Sequence, residues 1–387
     1  MYKFIPLNQH GISLIKTLNK KADMFVCGTN TYSTLCNHEK YPLKNKNIAI
    51  KNVLEFLQYI DMLITDKTTV TISSEKMRQI FTGAQYRAYL DIVSELNIIT
   101  RVPYGDDKFF EIGKRYCQYR IHNSYLNDKP GLVVSDTHSI QKLSTDKKYP
   151  AKFEKAIRYT ECDFVSAIMS EYEHYIDTGM NDNKLRKRLS RLLSLNGERY
   201  IKKGTKVDRV YTSFSNLSKI SRAHLHIDNQ KYNCIDIKNC QPLLLCYLLR
   251  LSGLDMDSNY LADCESAEID YRFITPKKYP TKDDVKKPLY SAIYFDFKPD
   301  KKIAQKFKRL YPLTFDSIEI LHNSGTTMAS MLQNLEASIF NSIVPKKSKY
   351  YFTLFDAIYY TDIEDTESLK NRLTEKFGLY GITPRFG

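Results

Sequence analysis

Two aspartates lie inside apolar runs of the chain, where a carboxylate is unexpected. Asp236 lies in YNCIDIKNCQPLLLC, near the end of a hydrophobic strand pattern and directly before a helical pattern. Asp356 lies in YYFTLFDAIYYTD, at a position typical of a hairpin tip. A buried carboxylate is costly unless it has a cation, a hydrogen-bond donor or access to solvent. These two aspartates are therefore candidates for a site, although each could instead cap a helix or pair with a lysine.

Paired aspartates on neighbouring strands suit a hard divalent cation. Mg²⁺ takes one or two protein carboxylates and leaves its other positions to phosphate oxygens and water. Two such ions activate an attacking oxygen and stabilise a leaving one in phosphoryl transfer. The sequence thus predicts that Asp236 and Asp356 hold two Mg²⁺ or Mn²⁺ ions and act as catalytic residues.

The composition favours a polyanionic partner. The 387-residue chain carries a net charge of +14, and such a surface attracts nucleic acid by releasing counterions. The alternative is that a lysine-rich, tryptophan-free composition reflects a low-GC genome, such as that of a phage or mobile element. The N-terminus lacks a signal-peptide pattern and no apolar run is long enough for a membrane span, so we expect a cytoplasmic protein without membrane contact. The eight cysteines include no C-x-x-C pair, which signals neither disulfides nor zinc.

The N-terminal third has the element order of a winged helix. A helical pattern over 49–65 precedes SSEKMRQIF, a Thr-Gly break and AQYRAYLDIVSELN, and IITRV and KFFEIGKRYCQYRI then predict two strands joined by the turn PYGDD. Such modules bind DNA or dock proteins. Six basic residues could give it a basic face: Arg78, Arg87, Arg101, Lys114, Arg115 and Arg120.

The rest of the chain alternates helical and strand-like patterns, which predicts an α+β fold. We expect a helical, winged-helix-like domain over 1–125, a linker over 126–149, a helical thumb-like region over 150–205 and a final domain over 206–387. The helix predicted within NDNKLRKRLSRLLSLN is rich in basic residues. Its candidate phosphate contacts are Lys184, Arg186, Arg188 and Arg191. A solvated helix face explains the same spacing.

Two segments around the aspartates resemble motifs of the family A polymerases, the group that includes bacterial DNA polymerase I and the single-subunit phage RNA polymerases. IDIKNCQPLLL is similar to motif A, in which a strand delivers a metal-binding Asp that Asp236 matches, and LFDAIY is similar to motif C, where Asp356 is the matched ligand. The family's DNA polymerases have Glu five residues after the first Asp, where it excludes a 2′-hydroxyl. Gln241 occupies that position here, so the sugar preference stays open.

Two further segments complete the resemblance. DRVYTSFSNLSKI resembles a segment that lies against the primer-template duplex in this family, which implies that Arg209 and Asn216 face nucleic acid. KKPLYSAIYF resembles motif B, which implies that Lys287 contacts the nucleotide's phosphates and Tyr294 its base and sugar. The resemblance implies a palm over 206–387 with short fingers at about 265–345 and a reduced thumb. Without it, Lys287 is a surface lysine and Tyr294 a core residue.

These observations lead to one main hypothesis and two alternatives. The main hypothesis is a small template-directed nucleotidyltransferase that acts on nucleoside triphosphates with DNA or RNA. Departures from the family pattern at Asp283, Phe295, Phe355 and Ala357 favour instead a non-catalytic, DNA-binding replication initiator or regulator. A primase or terminal transferase, which needs no primer or no template, is the third possibility. Gln333 and Glu336, three residues apart in MLQNLEASIF, either approach a primer end or pack between helices.

Overall fold

The computed structural model describes residues 2–8, 14–15, 23–38, 46–64, 69–81, 86–102, 117–135, 143–197 and 199–387. Within these ranges the fold is α+β, as predicted, with small antiparallel sheets among many helices. None of the described helices is both long enough and apolar enough to cross a membrane. The predicted turn PYGDD, Lys114 and Arg115 lie outside the described residues.

The strands and helices are numbered here in chain order. The strands are β1 (Tyr2–Pro6), β2 (Asp23–Gly28), β3 (Thr69–Ile72), β4 (Ile99–Val102), β5 (Cys117–Ile121), β6 (Pro130–Ser135), β7 (Leu143–Thr145), β8 (Glu161–Cys162), β9 (Arg199–Lys203), β10 (Val210–Thr212), β11 (Leu225–Ile227), β12 (Gln230–Lys231), β13 (Asn233–Asp236), β14 (Tyr351–Leu354) and β15 (Ala357–Tyr360). The helices are α1 (Thr29–Asn37), α2 (Lys46–Leu63), α3 (Ser74–Ile80), α4 (Tyr86–Glu95), α5 (Asn123–Leu126), α6 (Ala151–Tyr159), α7 (Phe164–Thr178), α8 (Asp182–Leu193), α9 (Lys219–Arg222), α10 (Cys240–Leu251), α11 (Ser258–Glu265), α12 (Lys282–Leu289), α13 (Lys302–Leu310), α14 (Pro312–His322), α15 (Met328–Asn341) and α16 (Asp365–Gly378).

The chain forms two compact units that are not continuous in sequence. The first comprises Met1–Leu143, Glu161–Arg199 and Asn216–His226, and the second comprises Ser144–Thr160, Tyr200–Ser215 and Ile227–Gly387. This division differs from the four consecutive segments that we predicted, because the chain passes between the units several times. Most of the predicted thumb-like region, including α7 and α8, belongs to the first unit.

The first unit contains a strand where we predicted a linker. Strand β6 is fully buried and pairs with both β1 and β2, so the polar segment 126–149 does not leave the unit there. Its Pro-Gly start misled the prediction, since Pro is tolerated at the first position of a strand. Gly131 is required at the second position because a Cβ atom there would lie 2.2 Å from the Phe4 ring.

The first unit also contains the predicted pair of helices followed by two strands. Helices α3 and α4 and strands β4 and β5 form where the patterns placed them, and the Ser73 side chain caps α3 by accepting from the Lys76 amide. Strand β3, which we did not predict, completes a sheet of order β3-β5-β4. Phe56, Phe81 and Tyr89 stack in the core beneath it.

The second unit is built on a sheet of order β13-β15-β14. The strands pair antiparallel, with Asp236 opposite Ala357 and Leu354 opposite the same residue from the other side. Helix α10 is buried along nearly its whole length and packs against α15. Pro242 lies in its first turn, where a missing N–H costs no intrahelical bond.

Candidate active site

Asp236 and Asp356 meet at one end of the second unit's sheet. Strand β13 ends at Asp236, and Phe355 and Asp356 form the two-residue turn between β14 and β15. Because Asp236 pairs with Ala357, the residue that follows Asp356, both aspartates lie at the same end of the sheet. Both residues are partly exposed. The predicted strand end and hairpin tip are therefore confirmed, and the two carboxylates share one edge.

The turn that carries Asp356 is held by aromatic and cationic contacts. Phe355 has φ of 57°, a left-handed conformation that two-residue hairpins require but that bulky residues rarely adopt. Its ring lies 4.9 Å from the Arg209 guanidinium carbon and 6.0 Å from the Tyr211 ring. A cation–π contact of about 0.5–2 kcal/mol is comparable to the cost of such a backbone conformation. The contacts of the Phe355 ring thus hold the turn, at a position where hairpins usually have Gly, Asn or Asp.

The segment after Asp236 leads directly into α10. Asn239, with φ of 54°, makes the left-handed step that Asn tolerates, and the helix starts at Cys240. Backbone pairing with residues 385–387 flanks this step: Lys238 N–H donates to Arg385 C=O at 2.8 Å, and Gly387 N–H donates to Asp236 C=O at 3.0 Å. A Cβ atom on Gly387 would lie 2.2 Å from Asp236 Oδ1. No pattern in the sequence indicates that Gly387 lies beside Asp236.

A buried ion pair lies beside the two aspartates. The Glu336 side chain is 1% exposed and accepts hydrogen bonds from Arg209 Nε and Nη2, both at 2.7 Å. Gln241 Nε2 donates to the same carboxylate at 2.7 Å. Burial and, to a smaller extent, the charge of Asp356 raise the pKa of Glu336 to about 7, while Arg209 lowers it. Three donors converge on the carboxylate, which fits its ionised form.

This network alters the roles expected of Arg209, Gln241 and Glu336. The Arg209 side chain is only 15% exposed, and its guanidinium is engaged by Glu336 rather than presented to a nucleic acid. Gln241 is oriented by Glu336, and its Oε1 is buried without a partner among the described residues. Glu336 is the centre of the network, and the signal for it was one acid in an otherwise apolar helix face.

Lys287 and Tyr294 are not brought together. Lys287 is exposed on α12, whereas Tyr294 is fully buried with its hydroxyl 3.2 Å from that of Tyr260. The seven-residue spacing assumed a regular helix, but Pro288 lies inside α12 and a π-helical turn follows over Tyr290–Phe295. Lys287 therefore lies at the surface and Tyr294 in the core, and the nucleotide contacts expected of both remain predictions.

Tyr290 lies in the same π-helical turn as Tyr294. Its ring packs edge-on against Tyr294 at 4.9 Å, and it is only partly buried. Burial raises the pKa of Tyr290, and the charges of Asp270 and Asp356 raise it further.

The basic helix α8 does not present a continuous cationic face. Arg186 is fully buried and donates to the carbonyls of Tyr125 and Asp128, so it cannot contact a phosphate backbone from this position. Arg188 pairs with the buried Glu171 at 3.0 Å. Arg191 is half-buried, and Lys184 is exposed. The spacing of basic residues was correct for a helix, but their burial could not be read from it.

Asn216 is exposed and belongs to the first unit, whereas Arg209 belongs to the second. The segment that we expected to act as one nucleic-acid contact is thus divided between the two units.

The donor set at Asp236 and Asp356 fits a hard cation that also binds a phosphorylated ligand. Within the described ranges, no three or more His, Cys, Asp or Glu side chains form a ready-made metal cluster. Mg²⁺ commonly takes two carboxylates from protein when phosphate oxygens and water complete its shell, and the strand end at Asp236 and the turn at Asp356 offer that number. Comparison of the chain with protein-family models, with curated proteins and with solved structures gave no match.

Proposed function

We propose that the second unit is a template-directed nucleotidyltransferase with a compact, family A-like palm. The observation that carries the proposal is the strand register that sets Asp236 beside the hairpin turn of Asp356. Such an arrangement needs a cation, because two neighbouring carboxylates repel each other. Mg²⁺ held by these two residues would polarise phosphate oxygens and favour attack by a hydroxyl.

The neighbouring residues have supporting roles in this proposal. Arg209 and Glu336 fix the shape of the wall beside Asp356, and Phe355 locks the turn that presents it. Gln241 is held by Glu336. It matches the sequence position that faces the incoming sugar in family A DNA polymerases. Lys287 is exposed and is free to move towards a triphosphate only if α12 and its π-helical turn rearrange.

The first unit supports a nucleic-acid-binding role. We infer a winged helix here, and the element order α2-β3-α3-α4-β4-β5 and the sheet order β3-β5-β4 support that inference. Its described arginines at positions 78, 87, 101 and 120 are all exposed. This unit would hold the nucleic acid that the second unit extends.

An incorporation assay tests the proposal. Purified protein is incubated with Mg²⁺, labelled ribonucleotides or deoxyribonucleotides, and a primed template, an unprimed template or no template. We expect label to enter the product with wild type and with Asp316→Asn, an exposed carboxylate on α14, and not with Asp236→Asn or Asp356→Asn. Equal incorporation by all four proteins would refute the proposed site.

A second function is favoured by one observation, the burial of Tyr294. A non-catalytic DNA-binding initiator or regulator needs no nucleotide-contacting tyrosine. Site-specific duplex binding together with no Mg²⁺-dependent incorporation under any of these conditions would select this alternative.

A further inference from the structure

The second unit contains an open cleft of about 350 Å³ that no motif predicted. Its floor is aromatic: the Tyr149 and Phe153 rings lie 6.0 Å apart, and Phe153 meets Tyr351 edge-on at 5.7 Å. One wall is α15, and the rim carries Lys147, Lys148 and Lys203. The volume is at the lower end of ligand pockets and suits one nucleotide-sized group at a time.

The rim is held in place by hydrogen bonds around Asp146. This carboxylate accepts from the Tyr149 hydroxyl and from the Lys203 amide, both at 2.7 Å. Tyr149 N–H in turn donates to Glu154 at 2.8 Å. The two bonds lower the pKa of Asp146, so the carboxylate that anchors the turn is ionised. Lys147 and Lys148, both exposed, thus project from a fixed turn rather than from a loose loop.

The cleft is electropositive. Its lining contains three lysines and one aspartate, Asp208, so its formal charge is +3 − 1 = +2. Asp208 pairs with Lys203 at 2.6 Å. Lys147 lies 5.3 Å from the Tyr149 ring, and neither it nor Lys148 has a salt-bridge partner among the described residues. Two ammonium groups above an aromatic floor favour a ligand with phosphates and flat or apolar faces.

The cleft lies close to the aspartates along the chain. Thr353 lines it, and Asp356 follows three residues later on the same hairpin. At about 3.3 Å per strand residue these three residues span at most about 10 Å, because the chain reverses at Phe355 and Asp356. One strand of a duplex advances about 3.4 Å per nucleotide. The Thr353 side of the cleft is therefore no more than about three nucleotides from the aspartate edge.

We propose that this cleft binds the backbone of the strand whose 3′ end lies at Asp236 and Asp356, with Lys147 and Lys148 on phosphates near that end. The inference rests on the proposed function, because it requires a strand that ends at the aspartates. It adds a binding site and names its ligand as a nucleic-acid strand rather than a free nucleotide.

Binding of a fluorescent primer-template to the full chain, measured by anisotropy as a function of salt, tests the charges. Lys147→Ala with Lys148→Ala should lower the slope of log affinity against log salt by about 1.4 to 1.8, at 0.7 to 0.9 per lost phosphate contact. Lys301→Ala with Lys302→Ala removes the same charge from an exposed pair on the same unit and should leave the slope nearly unchanged. Equal slopes for the two double variants would overturn the proposal.

Neutral methylphosphonate links, placed one at a time in the last six positions of the primer, test the location. For wild type, affinity should fall most with the neutral link at one position among these six, and a flat profile would overturn the proposal. For the Lys147/Lys148 double variant, that position should have no special effect. Asp146→Asn, which loosens the turn but keeps both lysines, should weaken binding without changing the salt slope.

The outcomes separate this inference from the proposed function. Aspartate-dependent incorporation with no position-dependent coupling to Lys147 and Lys148 would refute the cleft and leave the enzyme. Coupling at that position without incorporation would refute the enzyme and leave a strand-binding cleft. Loss of ATP binding, rather than of primer binding, in the double variant would show a nucleotide site and overturn the proposal.

Discussion

Replacing Arg209 by alanine should destabilise the second unit in a way that depends on pH. The substitution removes two of the three hydrogen bonds that Glu336 accepts, while the carboxyl group stays 1% exposed. Gln241 alone then remains as a donor. The substitution therefore leaves a buried carboxyl group with one of its three hydrogen bonds.

The size of the effect follows from these contacts. Hydrogen bonds to charged groups contribute about 1.5–3 kcal/mol each, and breaking a buried ion pair costs about 3–5 kcal/mol. The Arg209 side chain is 15% exposed, so water reaches part of the vacated space and the lower end applies. We expect a loss of about 3 kcal/mol at pH 9.

The pH dependence has a definite sign. Burial raises the pKa of Glu336 from 4.5 to about 7. Arg209 lowers this pKa more than any other group does, so the pKa in the variant is higher still. A folded-state pKa above the unfolded value gives stability that is complete at low pH and lost as pH rises through the folded pKa. Below pH 7 the group is protonated in both proteins. Above it the variant's deficit should grow by up to about 1.4 kcal/mol per pH unit.

Amide hydrogen exchange of α15 and far-ultraviolet circular dichroism at pH 6 and pH 9 measure this deficit, since the chain has no tryptophan to report unfolding. Local exchange is needed because a chain of two units is not expected to unfold in two states. Arg372→Ala is the control: its guanidinium donates to the Val344 carbonyl at 2.7 Å, so its loss strands no carboxylate. A deficit below 1 kcal/mol at pH 9, or one equal at both pH values, would refute the reasoning.

Three further predictions concern the two units separately. Burial raises the pKa of Asp61 from 3.8 to about 6, so stability measured by exchange of α2 should fall by about 3 kcal/mol between pH 4 and pH 7 in wild type and stay flatter in Asp61→Asn. Arg186→Ala should cost about 3–5 kcal/mol in α8, because it leaves Asp61 buried without its cation 4.0 Å away, whereas the exposed Lys184→Ala should stay within about 0.5 kcal/mol. Tyr294→Phe removes only a hydroxyl contact with Tyr260, so it should cost about 1 kcal/mol and leave any nucleotide incorporation rate unchanged; a large rate loss would show that Tyr294 contacts the nucleotide.

The local patterns predicted much of the candidate site. A lone acid at the end of an apolar strand and another between two β-rich runs gave the strand end at Asp236 and the turn at Asp356, because burial and strand periodicity act over a few residues. Helices α3 and α4 followed from capping and periodicity in the same way.

The tertiary partners could not be predicted from those patterns. The sequence does not distinguish Arg186 from Lys184 in a basic helix, because only packing buries Arg186 against Tyr125. Arg209 and Glu336 are 127 residues apart, and no local signal pairs them. The π-helical turn after Pro288 changes which side chains share a face, which a fixed spacing rule does not contain.

The proposed active site requires that Asp236 and Asp356 hold a divalent cation together. Electron paramagnetic resonance of free Mn²⁺, titrated with protein and a non-hydrolysable nucleoside triphosphate, measures this binding without requiring activity. We predict that Asp236→Asn and Asp356→Asn each weaken Mn²⁺ binding by at least about tenfold, since even the outer partners of metal ligands contribute 10–100-fold, while Asp316→Asn does not. Unchanged Mn²⁺ affinity in both aspartate variants would contradict the account.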